Sequence, residues 1–293
     1  MKTKESLSPA LSVGEGAKLV LLINCLRVIS YSLSYGEGWG EAPYRMNKIE
    51  LETRIIAGPC SAETREQMLQ TAAGLQAIGI GTLRAGLWKP RSRCGTFEGV
   101  GERGLPWMQE IQQTFGMQVM TEVALPSHIE AALNAGLDMF WIGARTTVNP
   151  FMMHELAEAL RGVDIPVWVK NPVSPDLELW IGGIERLQHA GVKRIGAIHR
   201  GFCLVDNVPY RNSPLWDQME ALRHRLPGIP IYCDPSHIAG KRELLLEICR
   251  KALSLQVDGL FIESHCCPQN ALSDAAQQLT PDALSEMLGL MKE

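Results

Sequence analysis

From Arg54 onward the chain repeats one pattern eight times: a short apolar, β-rich run, then a longer stretch that reads as helix or loop. The runs are 54–57, 82–87, 118–123, 139–144, 166–170, 194–199, 230–234 and 259–263. Between them lie segments such as 65–78, 127–135, 150–160, 176–190 and 241–255, whose apolar residues recur at helical spacing. The runs are apolar throughout rather than alternating, as in strands covered on both faces of a parallel sheet. Eight such units, roughly 20 to 36 residues apart, predict an α/β fold, a (β/α)8 barrel over residues 48–293, with the tail from Thr280 as its last helix. An open, doubly wound sheet is the alternative arrangement of the same units.

Composition excludes other classes. With 46% hydrophobic and 20% charged residues the chain buries a large core and is not disordered. A net charge of -4, with no Lys/Arg block, argues against a nucleic-acid partner. The longest apolar run, 19–29, is interrupted by Asn24 and Arg27 and is too short to cross a membrane. The eight cysteines stand at 25, 60, 94, 203, 233, 249, 266 and 267 without a CxxC pair, which fits reduced thiols and a cytoplasmic protein. Residues 1–47 lack the barrel's periodicity and a signal-peptide layout. They are expected to form a disordered extension, or sequence upstream of a natural start at Met46.

Barrel chemistry sits at the C-terminal ends of the strands. Almost every run here ends on a charged or metal-binding side chain. One set is cationic: Arg84, Lys89, Arg91, Arg145, Lys170 and Arg200. Converging on one mouth, they call for a ligand with several negative charges, such as two phosphates and a carboxylate. The plainer reading pairs some of them with Glu98, Glu102 or Glu122. A second set, Cys60, His237, Glu263 and Asp274, mixes thiol, imidazole and carboxylate. That mixture suits Mn²⁺, Fe²⁺, Co²⁺ or Zn²⁺ better than Mg²⁺ or Ca²⁺. Taken singly, Cys60 reads as a buried apolar residue and Asp274 as a helix cap. Gly99, Gly101 and Gly104 match a dinucleotide pattern but lie too far past their strand for it, and read as a mobile loop over the mouth.

The motifs Ile56-Ala-Gly-Pro-Cys60-Ser, Arg84-Ala-Gly-Leu-Trp-Lys89-Pro90-Arg91-Ser92, Ile142-Gly-Ala-Arg145, Asp234-Pro-Ser-His237 and Ala271-Leu-Ser-Asp274 resemble the signatures of 3-deoxy-7-phosphoheptulonate (DAHP) synthases. The resemblance is to the type I beta subclass, including the Bacteroidetes branch that carries a fused chorismate mutase. It implies a barrel that condenses phosphoenolpyruvate with erythrose 4-phosphate, at the entry to chorismate and aromatic amino acid biosynthesis. Carried onto this chain, it makes Cys60, His237, Glu263 and Asp274 ligands of a divalent metal. Arg84, Lys89, Arg145, Lys170 and Arg200 become the phosphoenolpyruvate contacts, and Lys89, Pro90, Arg91 and Ser92 the erythrose 4-phosphate contacts. Lys89 is then a candidate proton donor whose pKa neighbouring cations would lower, Glu122 orients a water, and His237 joins them as catalytic. The related 3-deoxy-octulosonate-8-phosphate synthase, with arabinose 5-phosphate as acceptor, is the nearest alternative; a non-catalytic regulatory barrel is another. Ser92, Arg93 and Cys94 depart from the usual residues of their loop. The resemblance also implies a homodimer or homotetramer and a chorismate mutase as candidate partner. Residues 1–45 show no pattern of a regulatory module, so insensitivity to aromatic end products is expected.

Overall fold

The computed structural model describes residues 54–89, 95–205 and 209–291. The expected N-terminal extension, 1–47, lies outside them. Eight parallel strands close into a barrel in chain order: β1 Ile55–Gly58, β2 Thr82–Arg84, β3 Gln118–Val123, β4 Met139–Ile142, β5 Val167–Lys170, β6 Ile195–His199, β7 Ile231–Cys233 and β8 Gly259–Glu263. Closure is made by β1 pairing with β8, with Gly58 opposite Glu263. Eight main helices follow the strands: α1 Arg65–Ala77, α2 Leu105–Phe115, α3 Pro126–Asn134, α4 Pro150–Ala159, α5 Leu177–His189, α6 Trp216–Arg225, α7 Leu245–Ser254 and α8 Pro281–Leu290. The predicted barrel, not the open sheet, is what the chain forms.

Local chemistry explains most boundaries. Thr64, Asn149, Asp176 and Thr280 accept hydrogen bonds from the first-turn amides of α1, α4, α5 and α8. Each satisfies donors that the helix itself leaves open. β2 is shorter than its apolar run because after Arg84 the chain leaves the ladder and touches β1's continuation only at a single bridge, Ser61 to Gly86. The glycine-rich stretch is a correction to expectation. Gly101 donates to Leu87 O at 2.9 Å, and a Cβ on Gly99 would stand 2.1 Å from that same oxygen. Gly101–Gly104 is a 3₁₀ turn that feeds α2, so the glycines pack the backbone against the end of β2.

The two-residue period of the strands sorts the core into two layers. Outward positions such as Leu83, Val119, Phe140, Val169, Ala197 and Leu260 join the large cluster under the helices. Inward positions form a separate plug of Ile56, Met120, Met139, Trp141, Ile198, Tyr232 and Phe261, flanked by Trp168. Large and small residues alternate around it. A Cβ on Gly196 would lie 2.2 Å from the Trp168 ring, and one on Gly259 would lie 2.5 Å from Tyr232. The indole and the phenol fill those two gaps.

Candidate active site and metal centre

Two residues further along each strand, the same inward parity delivers the polar layer. Above the plug it brings Gly58, Arg84, Glu122, Gly143, Lys170, Arg200, Asp234 and Glu263 to the C-terminal mouth. The glycines are spacers. A Cβ on Gly143 would stand 2.1 Å from Glu122 Oε1, and one on Gly58 would stand 2.1 Å from Arg84 O. His199, one residue out of phase, faces the outer layer among Trp180, Phe202 and Trp216, where burial pushes it down to about 4.

Of the predicted cations, Arg84, Lys89, Lys170 and Arg200 stand at the mouth, but their partners differ. The Arg84 guanidinium is 1% exposed and lies 4.8 Å and 4.6 Å above the Trp141 and Phe261 rings. Its Nη2 donates to Cys60 O and its Nη1 stands 3.4 Å from Glu263 Oε1, while Nε and Nη1 make no hydrogen bond. Lys170 Nζ donates to Asp234 Oδ2 at 2.7 Å; burial pulls its pKa below the ordinary value. Arg200, also buried, donates to two neutral acceptors, Asn212 Oδ1 and Gly201 O. Burial lowers its pKa to about 10, with the charges of Arg211 and Arg145 adding to the effect. Arg145 stands exposed on the short helix Ala144–Thr147. A desolvated guanidinium held by neutral groups is a strong site for an anion.

Lys89 corrects an expectation. Its Nζ donates to Cys60 O at 3.0 Å and lies 3.9 Å from Glu122 Oε2. Burial pulls its pKa down, but the negative charges available at Cys60, Glu122 and Glu263 outweigh it and hold the ammonium above its ordinary value. The expected cationic depression fails because acids, not only cations, face this nitrogen. Of the three glutamates considered as partners, Glu122 meets one of the cations. Pro90, Arg91 and Ser92 lie outside the described residues.

The second predicted set converges as well. One donor atom each from Cys60, Glu263 and Asp274 lies within 4.8 Å of the others. Cys60 Sγ donates to Asp274 Oδ2 at 3.3 Å. His237 Nε2 stands 3.7 Å from Glu263 Oε1 and 4.0 Å from Asp274 Oδ2. A tetrahedral ion with bonds of about 2.0–2.3 Å sets its ligands roughly 3.3–3.8 Å apart, so small movements suffice. Glu263 Oε1 is buried without a hydrogen bond, 3.4 Å from Arg84 Nη1, and has lone-pair capacity for a metal ion. Asp234 Oδ2 stands 2.8 Å from His237 Nδ1, a close contact without hydrogen-bond alignment, and the Nε2 side of the ring faces the other donors. Burial lowers the His237 pKa, against the opposing pull of Asp234. The Cys60 thiol is pushed up to about 12, by burial first and Glu263 second. Asp274 adopts φ +52, a strained backbone of the kind that clusters at functional sites. The residues fit a divalent cation.

Residues 49–293 match the model of the DAHP synthetase I family. The chain belongs to that family. A phospho-2-dehydro-3-deoxyheptonate aldolase of Thermotoga maritima is 32% identical over 82% of this chain and 69% of its own length. The crystal structure of the Thermotoga maritima enzyme superimposes with a TM-score of 0.73, at 31% identity, over 82% of this chain and 68% of that one. A 2-dehydro-3-deoxyphosphooctonate aldolase of Nitratidesulfovibrio vulgaris is 26% identical over 80% of this chain and 89% of its own. Among the described residues of this DAHP synthetase I family member, no helix is long and apolar enough to cross a membrane.

Sequence reasoning passed over several residues that hold the site together. Asp234 bridges Lys170 and His237 from inside the Asp234-Pro-Ser-His237 motif, where its place at the end of the 230–234 run was the available signal. Asn171, next to Lys170, accepts from Arg200 N at 2.6 Å and donates to Gly201 O, tying the ends of β5 and β6. Asn212 joins the Arg200 guanidinium to His237 O. Arg211 and Gln277 contact Asp274 and Glu263. None of these last three ends a strand, so no positional signal marks them.

Proposed function

We propose that this chain condenses phosphoenolpyruvate with erythrose 4-phosphate and water, giving 3-deoxy-D-arabino-heptulosonate 7-phosphate and inorganic phosphate. The observation that carries the reading is the shared inward layer: three buried cations, Arg84, Lys170 and Arg200, beside a thiol–imidazole–carboxylate donor set. Buried positive charge at that density suits a small polyanion, and phosphoenolpyruvate carries a phosphate and a carboxylate a few ångströms apart. Arg84, Lys170, Arg200 and Arg145 hold those groups in one orientation, which makes the encounter with the second substrate effectively intramolecular. Lys89, Pro90, Arg91 and Ser92 take the erythrose 4-phosphate.

A divalent ion, Mn²⁺, Fe²⁺, Co²⁺ or Zn²⁺, held by Cys60, His237, Glu263 and Asp274, supplies Lewis-acid polarisation of the aldehyde. C3 of the enol phosphate attacks the aldehyde carbon, and C2 becomes electron-poor. Water adds at C2, the C2–O bond to the phosphate breaks, and the departing phosphate takes the C2 hydroxyl proton, leaving the ketone. Lys89, a standing ammonium, gives its proton to the new alkoxide at Nζ. Glu122, whose Oε2 is 3.9 Å from that nitrogen, orients the water and takes its proton.

The test is phosphate release from phosphoenolpyruvate with erythrose 4-phosphate or arabinose 5-phosphate, with and without EDTA. Turnover with the four-carbon sugar, abolished by EDTA and restored by Mn²⁺ or Co²⁺, is expected. Turnover with the five-carbon sugar alone makes the chain an octulosonate-type synthase, the activity named for its 26% identical relative. Release with neither sugar leaves a non-catalytic barrel. On this reading the enzyme is cytoplasmic and works as a homodimer or homotetramer, with a chorismate mutase as candidate partner. Light scattering, alone and with such a mutase, checks the assembly.

A further inference from the structure

The two carboxylates of the donor set are not equivalent at their two oxygens. Asp274 Oδ1 accepts from Arg211 Nη1 at 2.9 Å, and that same nitrogen donates to Gln277 Oε1 at 2.7 Å. Gln277 Nε2 in turn donates to Glu263 Oε2 at 2.6 Å. A guanidinium only donates, so the Gln277 carbonyl must face Arg211 and its amide nitrogen must face Glu263. The remaining oxygens point the other way: Asp274 Oδ2 toward Cys60 Sγ and His237 Nε2, and Glu263 Oε1 toward His237 Nε2. Arg211 is itself anchored. Its backbone N donates to Ile238 O at 2.9 Å, and its side chain packs over Gly240, where a Cβ would come within 2.5 Å of Arg211 Cβ. One side-chain pair therefore ties together β8, the Asp274 loop and the short helix Pro235–Ala239 that carries His237.

We propose that Arg211 and Gln277 are positioning residues that withhold one oxygen of each carboxylate, so that Glu263 and Asp274 bind the metal through a single oxygen each. The proposal rests on the metal reading given above. Its consequence is selectivity. Carboxylates restricted to one oxygen favour the compact, low-coordinate geometry of Co²⁺ or Zn²⁺, whereas carboxylates free to turn chelate through both oxygens and suit Mn²⁺ better. Arg211 also has an opposing effect, because its positive charge repels the incoming ion. Replacing Gln277 by Leu separates the two, since it breaks the tie to Glu263 Oε2 and leaves the Arg211 charge in place.

The experiment measures Co²⁺ and Mn²⁺ affinity by competition with a chelator, and the visible spectrum of the Co²⁺ protein, for wild type, Arg211→Lys, Arg211→Met and Gln277→Leu. Arg211→Met and Gln277→Leu are each expected to bind Co²⁺ about 10- to 100-fold more weakly, with a smaller loss in Arg211→Lys, whose ammonium can donate to the same two oxygens. Mn²⁺ affinity should fall less, the d–d bands should change, and the sulfur-to-cobalt band from Cys60 should persist. Unchanged affinities and spectra in the variants overturn the clamp. Wild-type affinity and spectrum in Gln277→Leu, beside weakened binding in Arg211→Met, also overturn it, by reducing Arg211 to a charge. If wild type binds no Co²⁺, the metal reading itself fails and takes the clamp with it. Thermal melts of the metal-free proteins identify any variant that does not fold, and the other two then carry the same comparison.

Discussion

Replacing Asp234 by Asn tests whether one buried carboxylate holds both halves of the site. The side chain is fully buried, with Oδ2 2.7 Å from Lys170 Nζ and 2.8 Å from His237 Nδ1, and Oδ1 accepting from His237 N at 3.0 Å. Asn preserves size and helix capping, and besides the charge it removes the acceptor at Oδ2, putting an NH2 opposite Lys170 Nζ and His237 Nδ1. Removing one partner of a buried ion pair strands the other, and the expected loss is about 3–5 kcal/mol of unfolding free energy near neutral pH. The pH dependence has a definite sign. Burial already pulls the Lys170 pKa down, and without Asp234 the folded value drops further below the unfolded one of about 10.4. Between those two values the unfolded chain holds more protons, so the variant gains stability as pH rises and its deficit closes toward alkaline pH. In the wild type the charges of His237 and Lys170 hold the Asp234 carboxyl well below the ordinary range, although burial alone would raise it. Its contribution is thus complete above the unfolded carboxylate pKa of about 3.9 and is lost as pH falls below it. The deficit should be widest between about pH 5 and 7 and narrow on both sides. Urea denaturation of the metal-free proteins from pH 3.5 to 9.5 measures it, and Lys170→Met on the Asp234→Asn background should recover part of the loss. A deficit below about 1 kcal/mol, or one that does not change with pH, refutes the hub.

Metal uptake should release protons, because the Cys60 thiol, at about 12, is protonated at neutral pH and binds as the thiolate. Affinity should therefore rise with pH, and a pH indicator in weak buffer counts the protons released on adding Co²⁺. Arg145→Ala should raise KM for phosphoenolpyruvate about 10- to 100-fold more than KM for the sugar phosphate, with Arg91→Ala doing the reverse; equal effects on both would mean that the two anion sites are partitioned wrongly. Gly143→Ala should lower kcat while leaving the thermal midpoint within a few degrees, since its backbone suits alanine but the new methyl must displace Glu122 from 2.1 Å. Wild-type kcat in that variant would remove Glu122 from the mechanism.

What the sequence determined by itself is whatever depends on short-range order. The apolar runs and helical spacings are properties of neighbouring residues, so the eight strands and the barrel were legible in it. Strand parity is equally local. Once Trp141, Trp168, Ile198, Tyr232 and Phe261 face inward, Gly143, Lys170, Arg200, Asp234 and Glu263 must follow two residues later, at the mouth. The tertiary structure alone decided which charge meets which. Lys170 finds Asp234 across 64 residues, Arg211 finds Asp274 across 63, and Arg84 reaches Glu263 from the far side of β1. Burial and those pairings together set the direction of each shift at the site. They left Lys89 above its ordinary pKa and Lys170 below it, although both end up buried at the same mouth. The reason is range. Hydrophobic patterning is written residue by residue along the chain, whereas a buried charge takes its properties from the few groups within several ångströms, which barrel closure brings there from distant strands.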